Sequence, residues 1–282
     1  MMRSRTLALA LSSAGILGAA LLDAPASFAA DPSPDQLIKD MKEAIEPSKP
    51  STRVMELTAV QGGESQTLKL IQARKAFSDG PRALTFLIEP EAARGMAYLV
   101  EEHTGKPNPV EYVYVPMVRR VRKLVPAENY RTFMDTDFTY GDLGFLPLDA
   151  TNTLVGSDTV NGKKAYKVQS VPNGTAKQWY YSKYVTWIDA DSSLPVKREF
   201  YSPAGQVFKT ETFDAVTVFD GVPTPTKITM QDRDSNTTSE LKVLSVSYNN
   251  EIPDSFFTPA ELPKLSKAGN EAEKAAMTKA SR

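Results

Sequence analysis

EYVYVPMVRRVRKLVPAENYRTFMDTDFTYGDLGF, residues 111–145, is where the chain changes character, from alternating strand to basic run to an aromatic-rich pattern of helical spacing. Tyr112, Tyr114 and Pro116 alternate with Val113, Val115 and Met117, so both faces of this strand are apolar and both should be covered. Arg119, Arg120, Arg122 and Lys123 then crowd around Val121. Asp135, Asp137 and Asp142 supply the opposite charge among Phe133, Met134, Phe138, Tyr140 and Leu143. The pattern predicts an apolar helical segment latched by charge, with Arg119, Arg120 and Arg122 set against the aspartates. A solvated strand face is the plainer reading of the basic cluster, and a headgroup-binding or partner-docking patch the sharper one.

Outside this stretch the period is two. Short strands are expected at 54–60, 67–73, 84–88 and 96–100 before it, and at 153–159, 164–171, 185–190, 196–201, 207–213, 227–232 and 239–248 after it. Turn residues separate them, and Asn161-Gly162 favours the type I′ geometry that matches strand twist. So many strands joined by hairpin-length turns predict an antiparallel meander that must curl, split or close. Ahead of the first strand, Ser33, Pro34 and Gln36 read as the cap, first residue and capping-box partner of a helix. That helix carries Leu37, Ile38, Met41, Ala44 and Ile45 on one face and ends at Glu46-Pro47. Beyond the last strand, Ile252 to Leu262 reads as a closing turn that inserts Phe256 and Phe257.

The chain has 282 residues, 33 basic and 34 acidic, and no cysteine. That length suits one large β domain, expected over 30–263. Residues 1–29 read as a secretory signal: Arg3 and Arg5, the apolar run Thr6 to Leu22, and a small-x-small site at Ser27-Phe28-Ala29, predicting cleavage near Ala29-Ala30. Residues 264–282 read as a polar, flexible tail. Without cysteine there are no disulfides, thiolate metal sites or cysteine nucleophiles. A net charge near zero supplies no global field to attract nucleic acid.

Catalytic constellations do not emerge. The single histidine, His103, sits in the polar run EEHTGKPNP (101–109), and serine hydrolysis would need another base. Asp135, Asp137 and Asp142 lack the glycine turn and terminal glutamate of a calcium loop, and no histidine is near for zinc. No catalytic residue, metal or cofactor is therefore expected. Trp179, Tyr180, Tyr181, Tyr184 and Trp187 form the densest aromatic run; in a strand, alternate members face opposite ways and either fill a core or line a cavity.

The run Tyr114, Val115, Pro116, Arg119, Arg122, Phe133, Met134, Asp137, Phe138, Tyr140, Asp142 and Leu143 resembles the signature of the periplasmic outer-membrane lipoprotein-sorting family related to LolA and LolB. The likeness continues through VGSDTVNGKKAYKV (155–168), VTWIDADSSLPVKREFYSPAGQVFKTETF (185–213) and IPDSFFTPAEL (252–262). It implies a mainly β, α+β fold, a curled antiparallel half-barrel sheet closed by a helical lid over an apolar cavity that carries acyl chains across the periplasm. On that reading Phe133, Met134, Phe138 and Leu143 form the lid, and Tyr112, Tyr114, Met117 and Trp187 line the cavity. The charges from Arg119 to Asp142 then bias open against closed. The resemblance implies a non-enzymatic, monomeric carrier or chaperone. Its cargo is a lipid or lipoprotein, its donor an inner-membrane RND-type transporter, its acceptor the outer membrane, and nucleic acid is no partner. A filled-core adaptor of such an export system and an envelope lipid or glycan hydrolase are the alternative readings.

Overall fold

Among the described residues, alternating side chains and tight turns place thirteen strands in one antiparallel sheet. The computed structural model describes residues 32–106, 109–125, 128, 131–143, 149–173, 181–248 and 250–266. Residues 1–29, which read as a secretory signal, residues 267–282 of the expected tail, and Trp179 and Tyr180 of the aromatic run lie outside the described residues. The described residues belong to one compact unit, Pro32–Arg282.

Helix α1 (Pro34–Ile45) comes first, with proline at its start as expected. The predicted capping box does not form: Ser33 makes no side-chain cap bond, and Gln36 instead donates to Asp40 one turn on. The first run of strands follows as β1 (Ser51–Gln61), β2 (Glu64–Phe77), β3 (Gly80–Glu89), β4 (Ala97–Glu101), β5 (Val110–Val115) and β6 (Arg120–Lys123). After the one-turn helix α2 (Tyr140–Leu143), the second run is β7 (Ala150–Val160), β8 (Lys163–Pro172), β9 (Lys183–Asp189), β10 (Pro195–Tyr201), β11 (Val207–Phe219), β12 (Val222–Asp232) and β13 (Thr237–Tyr248). Spatial order is β6-β5-β4-β3-β2-β1-β13-β12-β11-β10-β9-β8-β7. The sheet is therefore two meanders joined where β1 pairs with β13, and it is open, with β6 and β7 at its two edges. A closed or half-closed barrel is not what the pairing describes.

The turns explain the register. Asn161 and Gly162 have φ of 52° and 79° between β7 and β8, as a type I′ hairpin requires. Asp220 and Gly221 repeat that geometry, φ 47° and 79°, and extend β11 and β12 well past their predicted ends at Phe213 and Lys227. Pro223 and Pro225 each pair with β11 on one side, while the β13 ladder begins only at Lys227. A proline is tolerated where the neighbouring strand asks nothing of its nitrogen. β6 is the solvated strand face that the basic cluster suggested; three of its four positions are exposed, which suits a short, charge-protected edge.

Two apolar layers cover the sheet. On one face Leu57, Leu68, Leu70, Phe200, Met230 and Leu241 form the largest cluster. On the other, Leu84, Phe86, Leu99 and Tyr114 are covered by Ile252, Phe257 and Leu262, the predicted closing turn. The start of the expected tail is tied down as well, since Leu265 packs on this cluster and Ser266 Oγ donates to Gly95 O at 2.6 Å.

Candidate functional site

Because β6 and β7 are opposite edges, the chain between them has to travel the width of the sheet. Its longest described stretch, residues 131–143, lies on the face of the largest cluster, where Phe133 and Phe138 are each 1% exposed. Met134, Tyr140 and Leu143 pack beside them. The predicted helix is absent from most of this segment. Met134 and Asp135 have φ of 51° and 57°, Thr132 and Thr139 form a bridge, and Phe133 N donates to Phe138 O at 2.7 Å. Helical spacing of the aromatics is overridden by local polar side chains. Thr136 Oγ1 donates to Phe133 O at 2.8 Å, and Thr139 and Asp142 cap each other across the start of α2.

Polar contacts from the sheet pin this strap. Asp137 N donates to Ser239 Oγ at 2.9 Å, while Ser239 Oγ donates to Asp137 Oδ2 at 2.7 Å and the Thr237 hydroxyl to Oδ1. Lys209 Nζ, buried, donates to Asp137 O at 2.6 Å. Gln61 and Gln66 hold the carbonyls of Asp135 and Met134. Tyr181 donates to Asp142 Oδ1 at 2.9 Å.

Two buried carboxylates lie on the same side of the sheet as the strap. Arg198 Nη1 meets Glu211 Oε2 at 2.7 Å, yet burial pushes Glu211 up to about 7 against that pull. Burial likewise raises Glu111 to about 7, opposed by a hydrogen bond from Tyr98. The Tyr98 hydroxyl stands 2.6 Å from Glu111 Oε2 and 3.2 Å from Tyr140 O. When Glu111 is protonated it can donate to Tyr98, freeing the phenol to donate to the strap carbonyl.

A second region is open. A cleft of about 930 Å³ runs between α1, the ends of β2 and β7, and the turn after β4, a size within the usual range for ligand sites. Arg74, 5% exposed, is at its floor and pairs with Glu46. Lys42 Nζ meets Glu102 Oε2 at 2.6 Å, while Glu102 Oε1 is buried with no hydrogen-bond partner. The other lining carboxylates are engaged: Asp35 by Asn152, Glu43 by Ser48, and Asp149 by Asn173. Lys39, Lys49 and Lys106 line the cleft without an ion pair among the described residues. His103 is held between Asp79 at 3.1 Å and Glu101 at 3.7 Å.

The structure separates the predicted site residues. Phe133, Met134, Phe138 and Leu143 do meet, in packed apolar surroundings rather than around a space. Tyr112 and Tyr114 belong to the cluster on the opposite face. Met117 is 86% exposed on the 3-10 turn after β5, because the strand ends at Val115. Trp187 is buried with Ala165 and Val185, its Nε1 donating to Asp158 at 3.3 Å, with Lys167 and Lys197 over its ring. None of Arg119, Arg120 and Arg122 pairs with Asp135, Asp137 or Asp142; Arg122 takes Glu128, and Asp137 and Asp142 take hydroxyls. Of the cleft residues, only His103 had been weighed as a catalytic group in the sequence; Ile38 read as part of the apolar face of the helix and Glu46-Pro47 as its end.

An open antiparallel sheet with one segment strapped across a face is a LolA-like fold. Three solved structures share the fold. An outer membrane lipoprotein-sorting protein domain, as it is described, from Vibrio parahaemolyticus matches with TM-score 0.75 and 22% identity, over 81% of this chain and 97% of that one. A DUF1329 family protein from Desulfovibrio piger gives the same values, 0.75, 22%, 81% and 97%. A LolA superfamily protein from Nitrosomonas europaea matches at 0.66 and 19%, over 80% and 98%. Residues 79–264 match a family model described as "Uncharacterized protein", and the chain belongs to that family. No curated protein matches it.

Proposed function

We propose that this chain is a non-enzymatic periplasmic carrier or chaperone that takes up the acyl chains of a lipid or lipoprotein for transfer toward the outer membrane. The observation that carries the reading is the strap: Phe133 and Phe138 fill an apolar site over the centre of the sheet, on a segment held largely by side-chain hydrogen bonds. A filled site of this kind is a closed state. Exposing two phenylalanines costs roughly 3–6 kcal/mol, and burying about ten methylenes in their place returns about 8 kcal/mol, so a long acyl chain outweighs the displaced rings. The LolA-like fold supports the same reading.

The position of α1 supports a bend in the open sheet. Its Leu37 and Met41 pack with Val168 of β8 and Ile188 of β9, while Glu46 pairs with Arg74 of β2. A helix of this length spans about 18 Å, and in a flat sheet strands seven places apart lie over ~30 Å from each other. Export would bring the protein to the periplasm, and no described helix is long and apolar enough to cross a membrane. An RND-type transporter as donor and an outer-membrane acceptor complete the proposal.

Full burial of Phe133 and Phe138 favours one second reading, a filled-core adaptor that docks on an export system and binds no lipid. Mass spectrometry of organic extracts from protein purified out of its native envelope, beside titration with a fluorescent fatty acid, separates the two. Co-purifying lipid with saturable probe binding supports the carrier. A protein free of lipid that ignores the probe would leave the adaptor.

A further inference from the structure

We propose that the cleft between α1 and the turn after β4 is a headgroup site for a phosphate ester that carries a hydroxyl, a polyol phosphate of the kind found on a glycerophospholipid. This rests on the carrier reading and adds the polar half of the ligand. Charges in the cleft are unevenly committed. Every lining carboxylate accepts a hydrogen bond or ion pair from the protein, from neutral groups at Asp35, Glu43 and Asp149, whereas Lys39, Lys49 and Lys106 carry ammonium groups with neither a hydrogen bond nor an ion pair among the described residues. Cations from α1, the turn after it and the loop after β4 thus face one cleft, and a phosphate is the group that can meet several of them at once.

The hydroxyl is required by the opposite feature. Glu102 Oε1 is buried without a partner, although Oε2 of the same carboxyl holds Lys42 at 2.6 Å. An unmatched buried acceptor is costly and calls for a donor. An ammonium donor would sit among the free lysines and be repelled; a hydroxyl would not. Burial also raises the Glu102 pKa, which weakens its repulsion of a nearby phosphate. Apolar surface from Ile38, Ala76 and Phe77 on the same walls gives the first methylenes of an attached chain a place to lie.

The test compares short-chain dioctanoyl phosphatidylglycerol with dioctanoylglycerol, which lacks the phosphate, by calorimetric titration of the purified protein. Phosphatidylglycerol should bind about tenfold more tightly, and Lys39→Ala with Lys106→Ala should remove that preference while leaving dioctanoylglycerol affinity unchanged. Both lysines are exposed, so the double variant should melt like the wild type. Glu102→Gln should selectively weaken phosphatidylglycerol relative to phosphatidic acid, which lacks the headgroup hydroxyl. Competition by glycerol 3-phosphate but not inorganic phosphate supports a polyol phosphate; equal competition by both would overturn the hydroxyl assignment and reduce the site to one for free phosphate. Equal affinity for the two lipids in the wild type would overturn the headgroup site and leave the acyl carrier standing. Binding of neither lipid would sink both.

Discussion

The strap and the cleft are built from opposite materials on one protein. Under the strap, the chain's own aromatic rings occupy the space, and polar groups serve only to hold a backbone in place. The cleft is open, its walls are charged, and among the described residues several cations have no ion pair and one carboxyl oxygen has no hydrogen-bond partner. The difference teaches that apolar and polar selection are separable here. Whatever enters above the sheet must displace something, whereas whatever enters the cleft has only water to exchange.

The hardest way to break this contrast is to charge the filled side. Phe138→Asp should destabilise the fold by several kcal/mol, since a carboxylate would replace a ring that is 1% exposed. A thermal melt decides it: a variant that melts normally would mean that Phe138 borders a space and is not packed. Next in size, Arg198→Leu strands Glu211 without its buried partner and should cost about 3–5 kcal/mol by urea unfolding, whereas the same change at a rim lysine of the cleft should register little.

A pH series sharpens the comparison from the strap side. Glu111 and Glu211 have folded pKa values raised from 4.5 to about 7, so the folded state holds protons more tightly than the unfolded chain. Their stabilisation is greatest below 4.5 and is lost as pH rises through about 7. Unfolding free energy should therefore fall across that window, and the double variant Glu111→Gln and Glu211→Gln should flatten the slope. An unchanged slope in the double variant would refute the assignment.

What the sequence made legible follows from how local each cue was. Period-two alternation and Asn161-Gly162 located most strands and one hairpin, because a strand's pattern and a type I′ turn are complete within a few residues. Phe133 and Phe138 were legible as partners for the same reason, though not the form of the segment between them, where Asp135, Thr136 and Asp137 divert the backbone from a helix. The cleft was illegible. It depends on Glu46 meeting Arg74, Lys42 meeting Glu102 and Asp35 meeting Asn152, distant pairings that only the sheet order creates.

The smallest effect belongs to the charges first read as latches. Arg119 and Arg120 are exposed and pair with none of the aspartates of the strap, so replacing both with alanine should change stability by less than about 0.5 kcal/mol and leave acyl-probe exchange at its wild-type rate. Stopped-flow release of a bound probe checks this. Faster release in the variant would restore a role in closure to the basic run.

The pairing of β1 with β13 has a kinetic side. The first strand made must wait for the last, and only then do the two meanders become one sheet. Until that moment each half can assemble from its own neighbouring hairpins, but β1 presents an unpaired inner edge bearing Met55, Leu57 and Ala59, all buried in the finished fold. Contacts of such long sequence separation slow folding, and an unpaired apolar edge invites pairing with the wrong chain. During synthesis, the stretch of greatest exposure to aggregation is thus the middle of the final sheet, its most protected place once folding is complete.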